Sequence, residues 1–202
     1  MSNILFYTEP FPIRNNFIQF SIIFSNFSKA LLENKTENEY YIYSNEKNLT
    51  AIAKQCPEYE EHFILPTTEE EEFFHQFLKN WDTEGINLWK QLMSDSALSD
   101  QFVQLIKNLH QRRPFDYIVC WGTNYAVKKA AKELKIGFIN MELGCSRPPY
   151  MDSLCMDPWG VNGASSLSQS KIKDFANIAA TDAQEDLLFS DNFSPKGQEA
   201  SF

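Results

Sequence analysis

Two apolar runs separated by one short helix-spaced segment constrain this chain most. FDYIVC at 115–120 leads into Trp121, Gly122, Thr123 and Asn124, and IGFINM follows at 136–141. Short apolar runs bounded by turn residues read as buried strands. Between them, Val127, Ala130, Ala131 and Leu134 recur at helical spacing within 125–134. That spacing makes one apolar stripe, and Thr123 or Asn124 can cap the helix. Strand, helix and strand in so few residues imply two parallel strands joined by a right-handed crossover. Parallel strands of this kind lie in sheets covered by helices.

The same alternation runs upstream. Ile4, Leu5, Phe6 and Tyr7 predict a first strand, followed by a loop carrying Pro10, Pro12 and Arg14. Phe17, Phe20, Ile23, Phe24, Phe27, Leu31 and Leu32 predict a helix over 17–32. Tyr40 to Tyr43 predict a second strand, 49–55 a short helix, and 62–65 a third strand closed by Pro66. Thr67 or Thr68 can cap the next helix, whose acidic run 69–72 suits a positive N-terminal end and predicts a solvated first turn. Apolar residues then continue to Trp81, resume after Gly85, and recur over 102–109 ahead of Arg112 and Arg113. This helical stretch, about 67–112, interrupts the alternation as an insertion on one side of the sheet or as a wall of the cleft. The expected fold is α/β: a Rossmann-like, mostly parallel sheet of about five strands with a helical insertion. It would occupy 1–189, with a short helix at 170–179, and a Ser-, Gly- and Pro-bearing stretch at 190–202 reads as a flexible tail or linker.

Composition narrows the function. The net charge is -9, with 18 Lys and Arg against 27 Asp and Glu, and no basic run is longer than a pair such as Arg112 and Arg113. A nucleic-acid partner is not expected, because phosphate neutralisation needs concentrated positive charge. The 17 Phe among 202 residues predict a packed core. Cys56, Cys120, Cys145 and Cys155 form no metal spacing with His62, His75 or His110, so no metal is expected and the thiols read as reduced, in a cytoplasmic setting. The start lacks a basic region before its apolar residues, and 17–32 is too short and polar to span a bilayer. There is no G-x-G-x-x-G, no P-loop, no G-x-S-x-G and no D-x-D.

Chemistry is most concentrated between 138 and 162. The strand-like run gives out at Glu142, and Gly144, Arg147, Pro148, Pro149, Asp152, Asp157 and Gly160 follow. Loops at the carboxyl ends of strands are where α/β domains hold ligands. Two readings stay open for each carboxylate. Glu142 is either a general base or an ion-pair partner of Arg147. Asp157 is either a reacting carboxylate or an N-cap or turn residue ahead of Pro158.

The segments ELGCSR at 142–147 and SLCMDPWGVN at 153–162 resemble a pattern of retaining GT-B glycosyltransferases that transfer 3-deoxy-manno-octulosonic acid (Kdo) in capsule and lipopolysaccharide assembly. That pattern places an acidic residue, Gly and Arg after a strand, then a serine-led apolar run into Asp-x-x-Gly. This chain departs from it at Leu143, Val161 and Asn162.

The resemblance implies the N-terminal half of a GT-B enzyme, with the sugar nucleotide bound largely through a second domain. It implies Asp157 as nucleophile and Glu142 as acid/base, its proton affinity raised by partial burial. Arg147, Gly144, Asp152, Gly160 and Arg14 would contact substrate, Arg147 gripping a carboxylate or phosphate. No cofactor is implied; a CMP-sugar is the donor substrate and a glycan the acceptor. The expected setting is cytoplasmic, with peripheral association at the inner face of a membrane as an option. The alternative is a non-catalytic α/β module that binds a saccharide or a protein.

Overall fold

A computed structural model of the chain describes residues 2–8, 37–122, 124–143, 154–161 and 165–166. The helix expected at 17–32, the helix at 170–179, the 190–202 tail, Arg14, Gly144, Arg147 and Asp152 lie outside the described residues.

The described elements are β1 (Asn3–Tyr7), β2 (Glu39–Tyr43), α1 (Glu46–Gln55), a 3-10 turn (Pro57–His62), β3 (Phe63–Ile64), α2 (Thr68–Lys79), α3 (Trp81–Leu92), α4 (Ala97–Arg112), β4 (Tyr117–Trp121), α5 (Tyr125–Leu134), β5 (Gly137–Leu143) and β6 (Leu154–Asp157). The strands form one sheet in the order β3-β2-β1-β4-β5-β6. Every neighbouring pair is parallel except β5 with β6. The sheet is therefore Rossmann-like and mostly parallel, as the alternation implied.

Alternating strand residues feed two cores. On one face Leu5, Tyr7, Tyr41, Tyr43, Ile118 and Cys120 pack with Phe74 and Phe77 of α2, Phe102, Ile106 and Leu109 of α4, and Ala126, Val127, Ala130 and Ala131 of α5. Small residues let α5 lie close to the strands. On the other face Phe6, Tyr40, Ile42, Val119, Trp121 and Met141 pack with Leu49 and Ile52 of α1 and with Tyr59. Each fully buried side chain of this size contributes about 1.5–3 kcal/mol by leaving water, so the sheet is held mainly by burial on both sides.

Local chemistry sets the helix ends. Asn45, Thr67, Ser96 and Asn124 each accept a backbone N–H from the first turn of α1, α2, α4 and α5. Gly122, at φ 71, supplies the left-handed turn after β4 and donates its N–H to the Met141 carbonyl.

The structure corrects several expected boundaries. The sheet has six strands, because Leu154–Asp157, expected as loop, pairs antiparallel with β5. β5 runs on through Glu142 to Leu143. The third strand is only Phe63–Ile64, with His62 in the preceding turn. α1 begins three residues earlier than expected, at Glu46, because Asn45 caps it. The break between helices falls at Asn80, with Gly85 inside α3. Near-continuous helical periodicity hides a break that needs only one non-helical residue.

The acidic run is also more than a solvated turn. Glu70 accepts from the Tyr43 hydroxyl at 2.9 Å, from Arg112 Nη2 at 2.9 and 2.8 Å, and from the Thr67 N–H at 3.0 Å. Burial first, and then the Glu70 carboxylate, push the Tyr43 hydroxyl above its ordinary range, so it stays a donor. Glu70 thus ties α2, the end of α4 and β2 together. Glu70→Ala should lower the unfolding free energy by about 2–3 kcal/mol, through the lost capping box and the stranded Tyr43 hydroxyl. Arg112→Met, at the partly exposed end of the pair, should cost under about 1 kcal/mol. Urea unfolding of both variants checks the order; equal losses would contradict it.

Candidate functional site

The strand order reverses between β1 and β4, and clefts in such sheets open at the carboxyl ends there. Polar groups crowd the edge beside that point. Thr8, Ser44, Asn45 and Asn48 are all buried. The Thr8 N–H donates to the Tyr43 carbonyl, Ser44 Oγ donates to the Thr8 carbonyl, and Asn48 Nδ2 donates to Ser44 Oγ. These bonds weld the exits of β1 and β2 into one rigid rim. The Thr8 hydroxyl is buried with no hydrogen-bond partner among the described residues.

Further along this edge, the register brings two of the candidate carboxylates to one face. Phe138 packs with the α5-covered core, and Ile139 and Met141 with the opposite core. Strand alternation therefore puts Asn140 and Glu142 on the α5 side. Asp157 lies directly across from Asn140, and Cys155 across from Glu142. Glu142 and Asp157 are thus diagonal neighbours on one face of the β5–β6 pair. Asn140 donates its Nδ2–H to the Asp157 carbonyl at 3.1 Å, locking the register.

Asp157 is buried and densely solvated by protein donors. Its Oδ1 accepts the Trp159 N–H at 2.8 Å, and its Oδ2 accepts the Ser166 N–H at 2.8 Å and the Ser166 hydroxyl. The Ser166 hydroxyl foremost, followed by the backbone N–H groups of Trp159, Ser166 and Gly160, holds this carboxyl below the usual carboxylate range. The group is a carboxylate at neutral pH. Gly160 is buried within the same turn and acts through its N–H. Lys128 Nζ, from the second turn of α5, donates to the Trp159 carbonyl at 3.0 Å and ties the turn to the helix.

The candidates therefore divide. Glu142, Asp157 and Gly160 come together around β5, β6 and the following turn. Gly144, Arg147, Asp152 and Arg14 lie outside the described residues. Sequence reasoning did not single out Ser166, Asn140 or Lys128 as partners of this site. Ser166 stands nine residues beyond Asp157 in a serine-rich stretch that gave no spacing signal, and only folding brings its donors to Oδ2. A separate cavity of about 630 Å³ lies between α2 and α4, lined by Phe73, Gln104, Asn108 and Arg112, and shares no residue with this site. No helix among the described residues is long and apolar enough to cross a membrane.

A Rossmann-like sheet with carboxylates gathered at its last strands is the architecture of a domain that handles a polar ligand at the strand ends. Residues 63–166 match the model of the glycosyltransferase 99 family N-terminal domain. That span is just over half of the 202-residue chain, and the chain belongs to this family. It runs from β3 to Ser166 and so contains Glu142, Asp157 and Gly160. No curated protein matches the chain.

The depressed Asp157 pKa has a signed consequence. Its stabilising contribution is present above the unfolded carboxyl value of about 3.9 and is lost as pH falls through the lower folded value. The stability gap between wild type and Asp157→Asn should therefore hold steady from pH 7 to about pH 4 and shrink below it. Thermal melts across that range check this, and a gap that grows on acidification would contradict it.

Proposed function

We propose that this glycosyltransferase domain supplies the acceptor side and the catalytic carboxylates of a retaining transferase that moves Kdo, or a related acidic sugar, from a CMP-sugar to a surface-polysaccharide acceptor. One observation carries the reading: Asp157 is held ionised beside Glu142 on one face, within the segment that matches the family. A nucleophilic carboxylate must be ionised, and a second group must handle the acceptor proton. The resemblance of 142–147 and 153–162 to Kdo transferases supports the sugar class. The family's description as an N-terminal domain supports a donor site completed by a second domain. The reading needs no cofactor. It sets the reaction where CMP-sugars are available, in the cytoplasm, with peripheral attachment to the inner face of a membrane.

In this scheme a carboxylate oxygen of Asp157 attacks the anomeric carbon. The bond from that carbon to the CMP phosphate breaks, and CMP leaves with the electron pair. The acceptor hydroxyl then attacks the same carbon from the vacated side while Glu142 takes its proton, and the bond to Asp157 breaks. Two displacements restore the original anomeric configuration. Arg147 would pair with the sugar carboxylate or the phosphate, with Gly144, Asp152, Gly160 and Arg14 shaping the substrate contacts.

A second reading is favoured by one specific feature. Both Asp157 oxygens already accept hydrogen bonds from its own turn, which is what a turn anchor in a non-catalytic saccharide- or protein-binding module would do. The two readings separate in one variant measured two ways. In a two-domain parent incubated with CMP-Kdo and acceptor glycans, Asp157→Asn should cut transfer by on the order of 10³-fold or more while the protein stays folded. Mass spectrometry of the wild type with a slow donor should find a sugar on the peptide containing Asp157. Near wild-type transfer by Asp157→Asn would assign Asp157 to the turn alone. Glu142→Gln should likewise lower the rate, with a changed pH profile.

A further inference from the structure

We propose that Trp159 is a stacking platform for a pyranose ring next to Asp157. The choice of a sugar as ligand rests on the glycosyltransferase reading above, while the platform itself rests on geometry. Trp159 is 69% exposed, whereas its neighbours Asp157 and Val161 are 6% and 4% exposed. With Pro158 beside it, the chain thus holds a large aromatic out in water while burying the residues two positions away on both sides.

The backbone that carries the exposed ring is fixed in place. The Trp159 N–H is bound to Asp157 Oδ1 at 2.8 Å, and its carbonyl accepts from Lys128 Nζ at 3.0 Å. The backbone of this one residue is therefore clamped to β6 on one side and to α5 on the other. A side chain rooted in a fixed backbone loses little freedom on binding, and such pre-organisation raises affinity. Leaving an indole in water forgoes apolar burial, a cost that a binding partner would recover.

The chemistry suits a sugar. A pyranose carries a patch of axial C–H groups with slight positive charge, and the indole face is the electron-rich surface that such groups lie on. The Asp157 carboxylate is bonded to the same residue's N–H. A ring stacked on Trp159 would therefore lie beside the turn that holds the carboxylate proposed to attack an anomeric carbon. Trp159 would be a positioning and specificity residue, and Lys128 the tether that aims it.

The experiment is saturation-transfer difference NMR on the full 202-residue chain, with free Kdo as the donor unit and D-galactose as a neutral acceptor unit. At least one sugar should receive saturation on its ring C–H protons from wild type. Trp159→Ala should reduce that signal at least about fivefold, and Trp159→Phe should keep most of it. Trp89→Ala, which removes an exposed indole on α3, should leave it unchanged. The melting temperature of Trp159→Ala should stay within about 2 °C of wild type, because an exposed side chain carries little stability. No saturation of either sugar, an unchanged signal in Trp159→Ala, or an equal loss in Trp89→Ala would each overturn the platform. Binding is read without turnover, so the outcomes separate: a platform that survives while Asp157→Asn still transfers sugar would refute the carboxylate chemistry alone.

Discussion

The parallel pairing of β1 with β4 is the contact on which the rest of this domain depends. It joins the amino-terminal strands to the β4–β5 half, with Ile4 beside Tyr117 and Tyr7 beside Cys120. It also puts the reversal of strand order there, at the carboxyl ends where clefts of such sheets open. The long passage through α2, α3 and α4 exists to make this pairing, since the chain must cross from β3 at one edge to β4 in the middle. Ring contacts between Phe73, Phe77 and Phe102 hold that passage together, and Arg113 over Tyr41 with Glu70 on Tyr43 fastens it to β2.

The site depends on a weaker element. β6 is four residues long and, among the described residues, pairs only with β5, yet it brings Asp157 level with Asn140. A short edge strand of this kind gains little from its ladder alone. What fixes it is polar: the Asn140 amide on the Asp157 carbonyl, and the Asp157 carboxylate gathering donors from Trp159, Gly160 and Ser166. On the proposed reading, the same carboxylate that organises the turn is the one the transfer reaction would use. Structure and chemistry would then draw on one group, and reaction at Asp157 would loosen the turn that carries Trp159.

Much of the frame was legible because its signals are local. The apolar runs at 115–120 and 136–141, the stripe of Val127, Ala130, Ala131 and Leu134, and the capping residues Thr67 and Asn124 depend on neighbours within a few positions. Periodicity and capping are properties of such short windows. Family membership agrees with the class inferred from 142–162, although the sugar inferred there stands as a proposal. Glu142, Asp157 and Gly160 were visible because carboxylates and glycines after a buried strand are unusual, whereas their mutual arrangement was not.

The sequence by itself determined a Rossmann-like α/β sheet with helices on its faces, since helical and strand periods bury different residues and leave little choice of element. Tertiary structure alone decided that Leu154–Asp157 is a strand, since its partner Asn140 lies 17 residues away from Asp157 and no period in four residues announces it. It alone decided that Glu70 holds Tyr43 and Arg112, 27 and 42 residues distant, instead of facing water. It alone brought Ser166 to Asp157 and lowered that carboxyl's proton affinity. Hydrogen bonds and charge act through space over a few ångströms, so the positions they join can be any distance apart along the chain, and only the packed fold brings them within reach.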